Sequence, residues 1–400
     1  MPTYHAQITH DLPQNADLVI AGGGIIGAAT AFFAARAGLR AVVIEKRPLL
    51  ATLTTPNATG AFRAQFDNAE EMALVREGIA LYTNFAEVAE LPGYDLGLAQ
   101  QGYLWLATTA ETVERQRTLV EQQRAWGLDD VELLSGNEAR VRFRYLAPEV
   151  MQARYRAGDG WLDPRKLAMG YAIASQATCV TGTAVTGFTF SGERISGVQT
   201  TRGVISCGVA VIAAGPFSQQ VARLAGLELD LSFVRRMRMI MPEVAEVPAD
   251  APMTIDEETG AHWRPALHGA NLLWTAPNMP PGPPLEDVTP SDDFAFGLLD
   301  PESDHSVARI SPFWRAVWER NTDNWCLRAG QYSYTPDHRP YLGPTPIPGL
   351  FVNCGYSGHG IMGSAGGSRI VVDTITGALT PADNPFRLDR PIVERALDVL

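Results

Sequence analysis

The stretch ADLVIAGGGIIGAATAFFAARAGLRAVVIEKR leaves the chain few folds to choose from. Leu18, Val19 and Ile20 form an apolar run ending at Ala21, and Gly22, Gly24 and Gly27 follow in G-x-G-x-x-G spacing. From Ile25 to Ala37 the chain is rich in alanine and free of proline, which predicts a helix that stops at Gly38. Ala41, Val42, Val43 and Ile44 predict a second buried strand, closed by Glu45. A glycine turn alone is a weak signal; strand, turn, helix, strand and a closing acid together form a dinucleotide-binding unit. Gly22 permits the turn, Gly24 lets backbone approach a pyrophosphate, and Gly27 lets helix and strand come close. The helix start offers N–H groups and partial positive charge to that pyrophosphate. Glu45 suits a ribose diol and repels a 2′-phosphate, which favours FAD or NAD over NADP.

At 400 residues the chain is long for one core, so two lobes are expected. A net charge of −12 argues against a nucleic-acid partner. Cys179, Cys207, Cys326 and Cys354 lack metal or redox spacing and read as small core residues in a reducing compartment. No metal site is expected. The polar N-terminus lacks a signal-like apolar stretch, and no apolar run is long enough for a membrane span. A cytoplasmic location is expected.

Along the chain, residues 50–66 read as a polar loop beside the nucleotide, containing Arg63, and residues 69–90 as a helix. GYLWLAT predicts a strand, and 110–126 a charged surface helix. Pro164 is placed to start a helix running to about Ala177. Residues 178–215 read as a β-meander and a return strand ending at Ala214–Gly215. In FVRRMRMIMPE, alternation puts Arg236 and Arg238 on the face opposite Arg235. HWRPALHGANLLWTAP predicts a hairpin, Asn278–Asp304 a surface loop, and 306–320 a helix interrupted or started at Pro312. LFVNCGYSGHGIMGSAGGSRIVVDTITG predicts a strand, a second glycine-rich turn and a helix. The glycines at 355, 358, 360, 363, 366 and 367 read as a backbone that crowds a flat ligand.

GGGIIG with Glu45, NATGAFRAQF, DGWLDP, VIAAGPFS, TPDHRP and GYSGHGIM, in this order, resemble the FAD oxidoreductases of the D-amino-acid-oxidase type. Within them they are similar to the branch of sarcosine oxidase, dimethylglycine dehydrogenase and the β subunit of L-proline dehydrogenase. The resemblance covers almost the whole chain. It implies an α/β fold: a glutathione-reductase-like FAD domain (1–90, 147–230, 326–400) and an α+β substrate domain on a mainly antiparallel sheet (91–146, 231–325). It implies oxidation of an amine or amino acid at the carbon next to nitrogen, with hydride passing to flavin and the imine hydrolysing.

Carried over by position, Gly22, Gly24, Ile26, Gly27, Glu45 and Lys46 would hold the ADP half, with Val185 reaching the adenine through its backbone. Asn57, Thr59 and Gly60 in the first loop, and Ala214 and Gly215, would line the cofactor. Gly330, Gly355, Gly358, His359, Gly360, Ile361 and Met362 would surround the flavin ring. Arg63 matches an arginine beside the flavin, and His359 could stabilise negative charge on the reduced ring. Relatives that attach flavin covalently use a histidine or a cysteine where this chain has Asn57 and Gly330, so FAD is expected to be non-covalent. The usual carboxylate-binding residues are replaced by Phe66, Met362 and Tyr332. Arg63 and Arg264, with His262 and Tyr332 as hydrogen-bond partners, are the expected substrate contacts. Oxidases of this branch place a lysine over the flavin; the matching position is Leu273 or a neighbour, and the chain's only lysines are Lys46 and Lys166. An electron-acceptor protein or quinone is therefore the expected oxidant. Two alternatives stay open: a flavin subunit that depends on a partner for turnover, and a 2-hydroxy-acid oxidoreductase.

Overall fold

The structure is a computed structural model that describes residues 3–275, 279–320 and 324–393. Its first sheet has seven strands in the order Ile8–Thr9, Thr178–Val180, Ala41–Ile44, Leu18–Ala21, Ala210–Ile212, Leu350–Cys354 and Tyr341–Pro344. All neighbours are parallel except the last pair. The central strands are covered on both faces, which is why they read as apolar runs rather than alternations. Period two survives inside them. Leu18, Ile20 and Val43 face one core, with Ala28 and Phe32 of the helix Ile25–Arg36. Val19, Val42 and Ile44 face another, with Phe188, Ile195 and Val198 of the meander. The helix Ile25–Arg36 lies against Pro164–Ser175 and Gly360–Thr376.

The second sheet has eight strands in the order Cys326–Tyr334, Ser232–Met241, Gly269–Leu273, His262–Ala266, Met253–Asp256, Tyr103–Ala107, Gln152–Arg156 and Glu132–Ser135. It is antiparallel apart from the pair Met253–Asp256 and Tyr103–Ala107. Met239, Trp263 and Leu272 pack on Phe294, Leu298 and Trp314 on its outer side. Residues at alternate positions face the first lobe.

Several expectations change. The segment 178–215 is not one meander: Thr178–Val180 joins the parallel sheet, and the three meander strands begin at Val185. The stretch from Asn278 to Asp304, whose first residue lies outside the described residues, contains the helix Asp293–Leu299. Phe294, Leu298 and Leu299 of that helix are core, so its acidic and proline-rich flanks had masked an apolar stripe. Gln152–Arg156 and Cys326–Tyr334 pair into the eight-stranded sheet, so the limits expected at 147 and 326 fall before strands of the other lobe. Cys326 is exposed rather than core, because it opens the edge strand; the other three cysteines are buried. Of the glycines in the last helix, Gly366 and Gly367 serve packing instead of a ligand. A Cβ on them would lie 2.5 Å from the Leu74 carbonyl oxygen and 2.0 Å from the Tyr356 hydroxyl.

Candidate active site

The carboxyl ends of the parallel strands open into a cleft of about 460 Å³, where an open sheet places its ligand. Ala21, Ile44, Ala213 and Cys354 mark those ends, and Gly24, Ile26, Glu45, Val185 and Gly215 line the near part. Gly22 has φ +116° and passes so close to the strand ending at Ile212 that a Cβ would sit 2.4 Å from the Ala213 oxygen. A Cβ on Gly27 would lie 1.8 Å from the Gly22 oxygen, so this glycine faces protein and not the cleft. Gly24 differs: the nearest atom to its Cβ position is Thr55 Oγ1 at 3.5 Å, leaving open backbone at the helix start. That bare approach beside a helix N-terminus fits a pyrophosphate.

Two donors of the turn are already engaged. Ile25 N–H donates to Thr55 Oγ1 (3.1 Å) and Gly23 N–H to Glu45 Oε2 (2.8 Å). Glu45 Oε1 accepts from Arg47 N–H (2.8 Å), and burial raises the Glu45 carboxyl against these contacts. The carboxylate is thereby oriented, with further lone pairs for a diol. Lys46 lines the cleft, but its ammonium contacts Glu286 (2.7 Å) and sits 3.3 Å from the Phe217 ring centroid. At the far end lie Tyr332, Gly355, Gly358, Gly360 and Ile361. Ala214 is on the wall between.

A smaller cavity of about 90 Å³ lies between this far end and the eight-stranded sheet. Tyr332 and Gly358 line both spaces. Thr59, Arg63, His262, Leu273, His359 and Met362 join them around the smaller one, with Arg236, Tyr334, Tyr103, Trp105 and Trp274. Arg63 is brought there by a loop pinned from DGWLDP. Ala61 and Phe62 pair with Trp161 and Gly160, while fully buried Asp159 accepts from Ala64 N–H and the Gln65 amide (2.9 Å each) and from Arg156 (2.5 Å). Arg63 then lies over the Phe66 ring (4.6 Å) and the Trp105 ring (5.5 Å).

His262 is buried with Nδ1 2.8 Å from the Gly260 carbonyl oxygen. A carbonyl only accepts, so Nδ1 carries the proton and Nε2 is left as an acceptor. Burial pushes its pKa down to about 4, so the ring is neutral near pH 7. His359 begins the last helix with Nδ1 3.2 Å from Glu71 Oε1, its ring edge-on to Phe66. Burial raises the Glu71 carboxyl, but the His359 and Asn68 hydrogen bonds outweigh it and the net shift is downward. Burial also raises the Tyr332 hydroxyl.

The structure places some of the expected residues away from both spaces. Arg264 does not line the cavity: it donates to Thr59 O (2.8 Å) and Pro265 O (2.9 Å), stacks on Trp161, and burial lowers its pKa to about 9. It closes the loop onto the sheet, as Arg238 does through Ala58 O (2.7 Å) and Pro56 O (3.3 Å). Gly60 faces Leu162, whose oxygen would lie 1.8 Å from a Cβ, and not the cleft. Asn57 and Gly330 line a neighbouring cavity of about 230 Å³ with Arg47 and Glu286. Arg236 and Tyr334 were missed as cavity residues. The alternation of FVRRMRMIMPE did put Arg236 on the correct face, but nothing local says what that face meets.

The chain matches the DAO family, described as FAD dependent oxidoreductase, over residues 17–374. It is 26% identical to human sarcosine dehydrogenase, mitochondrial, across 88% of this chain and 38% of that protein. It thus spans about two fifths of that relative's length. It is 26% identical to the sarcosine oxidase subunit beta of an Arthrobacter species, across 94% of this chain and 90% of that one. Its structure superposes on that of glycine oxidase from Geobacillus kaustophilus with TM-score 0.80 and 26% identity, covering 95% of this chain and 100% of the other.

Proposed function

This chain belongs to the FAD-dependent oxidoreductases of the DAO family, and from that membership we propose that it oxidises a small amine or amino acid at the carbon next to nitrogen. One observation carries the reading: a small cavity shares Tyr332 and Gly358 with the end of the dinucleotide cleft and holds a neutral histidine acceptor. Gly22–Gly24, Glu45, Val185, Gly215 and Gly358–Met362 would hold FAD, which would supply a two-electron acceptor for hydride. Nε2 of His262 accepts an N–H of the substrate and orients its nitrogen. Arg63 and Arg236 on the cavity wall, with no acidic side chain among the described lining residues, disfavour the ammonium form. The neutral amine, whose lone pair drives hydride loss, is thereby favoured. Tyr103, Trp105, Trp274 and Tyr332 exclude water until the imine leaves and hydrolyses.

A cytoplasmic location belongs to this reading and is supported by three buried thiols. Among the described residues no helix is long and apolar enough to cross a membrane. Likeness to a protein named as a subunit favours a partner chain as a second element of the reading. The test is anaerobic mixing of purified yellow protein with N-methyl amino acids, proline and simple amines, watching visible flavin absorbance. Bleaching by an amine supports the reading. Bleaching by 2-hydroxy acids alone overturns it in favour of that chemistry, and no bleaching without an added partner points to a dependent subunit.

A further inference from the structure

We infer that Glu71 is a positioning residue of the reaction, whose buried carboxylate makes His359 the proton acceptor of the smaller cavity. The inference rests on the reading of that cavity as the substrate site. Gly358 and Gly360, on either side of His359, line the dinucleotide cleft, while His359 itself lines the smaller cavity. This histidine therefore stands where the substrate and cofactor spaces meet.

Glu71 is placed by its own helix. It is the third residue of Ala69–Thr83, where a glutamate commonly turns back to the backbone of the N-cap. Here the cap, Asn68, takes the Glu71 N–H on its side-chain oxygen (2.8 Å) and returns its amide to Glu71 Oε2 (2.7 Å). That leaves Oε1 for His359 Nδ1, at 3.2 Å. Glu71 is only 4% exposed, so water does not compete for the contact. The same helix fixes the backbone that carries His359. The Tyr82 hydroxyl donates to Ile361 O (2.7 Å), and a Cβ on Gly78 would lie 2.5 Å from Met362 O. Phe66 meets the imidazole edge-on, with ring centroids 4.9 Å apart.

The two histidines of the cavity differ in what stands behind them. Burial raises the Glu71 carboxyl, but the hydrogen bonds from His359 and Asn68 outweigh it, so Glu71 is a carboxylate near pH 7. A carboxylate only accepts, so His359 Nδ1 carries a proton and Nε2 is the nitrogen left for the cavity. A carboxylate in this place also stabilises the imidazolium that forms when the opposite nitrogen takes up a proton. His262 has a neutral carbonyl there, and burial keeps its ring uncharged, so it accepts a hydrogen bond and no more. An amine that arrives as ammonium must shed a proton before hydride can leave. The N–H bond breaks with its electron pair kept on nitrogen, and the proton passes to His359 Nε2. That pair then forms the C=N bond as the C–H pair departs as hydride to FAD.

The experiment uses FAD-loaded protein labelled with 15N in its histidines. NMR should show His359, identified by its loss in His359→Asn, with a proton on Nδ1, and Glu71→Gln should shift that signal and leave the other histidines in place. Anaerobic stopped-flow mixing with N-methylglycine, N-methylalanine or proline reads the chemistry. Glu71→Gln should lower the limiting rate of flavin bleaching by about 10- to 150-fold and leave substrate affinity within about threefold. His359→Asn should do the same, and Glu71→Gln should add nothing in that background. A glutamate that only capped its helix would lower stability with or without His359 and leave the rate alone. FAD content reports folding; if Glu71→Gln holds none, the parent Nδ1 signal and the rate of His359→Asn decide. A His359 Nδ1 without a proton, a limiting rate unchanged by either variant, or a further loss in the double variant overturns the inference. Amine oxidation at rates that ignore both variants leaves the proposed function standing and removes only this inference. Bleaching by 2-hydroxy acids alone, slowed by Glu71→Gln, does the reverse, since a hydroxyl must shed its proton too.

Discussion

At the residue scale, the three glycines of the N-terminal turn separate folding from cofactor binding. Gly27 has protein at 1.8 Å from its Cβ position, whereas Gly24 has only Thr55 Oγ1 at 3.5 Å. Gly27→Val should therefore destabilise the fold by about 1–3 kcal/mol or more, as overpacking does. Gly24→Val should fold and yet lose FAD, because its branched side chain occupies the pyrophosphate approach. Visible absorbance per mole of protein and the unfolding midpoint of the apoprotein distinguish the two; a yellow Gly24→Val protein contradicts the assignment. His262 gives a pH prediction. Burial lowers it from 6.5 to about 4, so below 6.5 the unfolded chain binds a proton that the folded one refuses. Its contribution is intact above about 6.5 and is lost as pH falls toward about 4, to a total of ~3 kcal/mol at most. Asp256, raised toward about 6 by burial, acts in the opposite sense, so the comparison must be between variant and parent. His262→Gln should lose less stability than the parent between about pH 7 and pH 4.5 in urea unfolding. Parallel pH curves would show that His262 already titrates normally.

At the element scale, the segment from Thr54 to Phe66 joins the lobes. The helix Thr54–Asn57 caps the dinucleotide turn through Thr55, Arg238 and Arg264 hold its carbonyls, and Asp159 ties down the part that carries Arg63. Asp159 has three donors and no exposure, so its removal leaves the Ala64 N–H and the Gln65 amide without their buried acceptor and Arg156 with Asp130 alone. Asp159→Ala should cost about 3–5 kcal/mol. Protein that still folds should keep its FAD and show a raised KM, because Gly22–Gly27 does not depend on Asp159 while Arg63 does. A variant with parental KM would show that Arg63 is placed by other means.

At the scale of the whole molecule, the relation of cofactor to protein and to oxidant is open to test. Asn57 and Gly330 offer no group for a flavin bond, so acid precipitation should leave the yellow colour in the supernatant. Colour in the pellet would mean a covalent link elsewhere. Neither lysine reaches the smaller cavity: Lys46 is held by Glu286 and Lys166 by Asp95, and Leu273 lines the wall at the position expected of a lysine in an oxidase. Reduced protein should therefore react more slowly with oxygen than with an artificial acceptor in stopped-flow mixing. Oxygen consumption at the rate of turnover would place the stabilising charge on Arg63, Arg236 or His359 instead.

The first lobe was legible in the sequence because its signals are local. Turn, helix and buried strands lie in one continuous stretch, and Gly22 and Glu45 meet across a single βαβ unit. The hairpin around Leu267 and the opposed faces of Arg235 and Arg236 follow from period two alone. The smaller cavity was not legible to the same degree. Arg264 and Arg236 both sit on strands facing the first lobe, yet only one lines the cavity. The difference lies in what each meets: Thr59 O of the loop from the other lobe for Arg264, and the Tyr334 hydroxyl of the neighbouring strand for Arg236. Contacts between residues separated by scores of positions leave no periodicity to read. The sequence by itself determined the strand–turn–helix–strand unit from Leu18 to Ile44 and its glycine turn. Only the tertiary structure decided which cations line the smaller cavity, because that depends on how the loop 54–66 is laid across the second sheet.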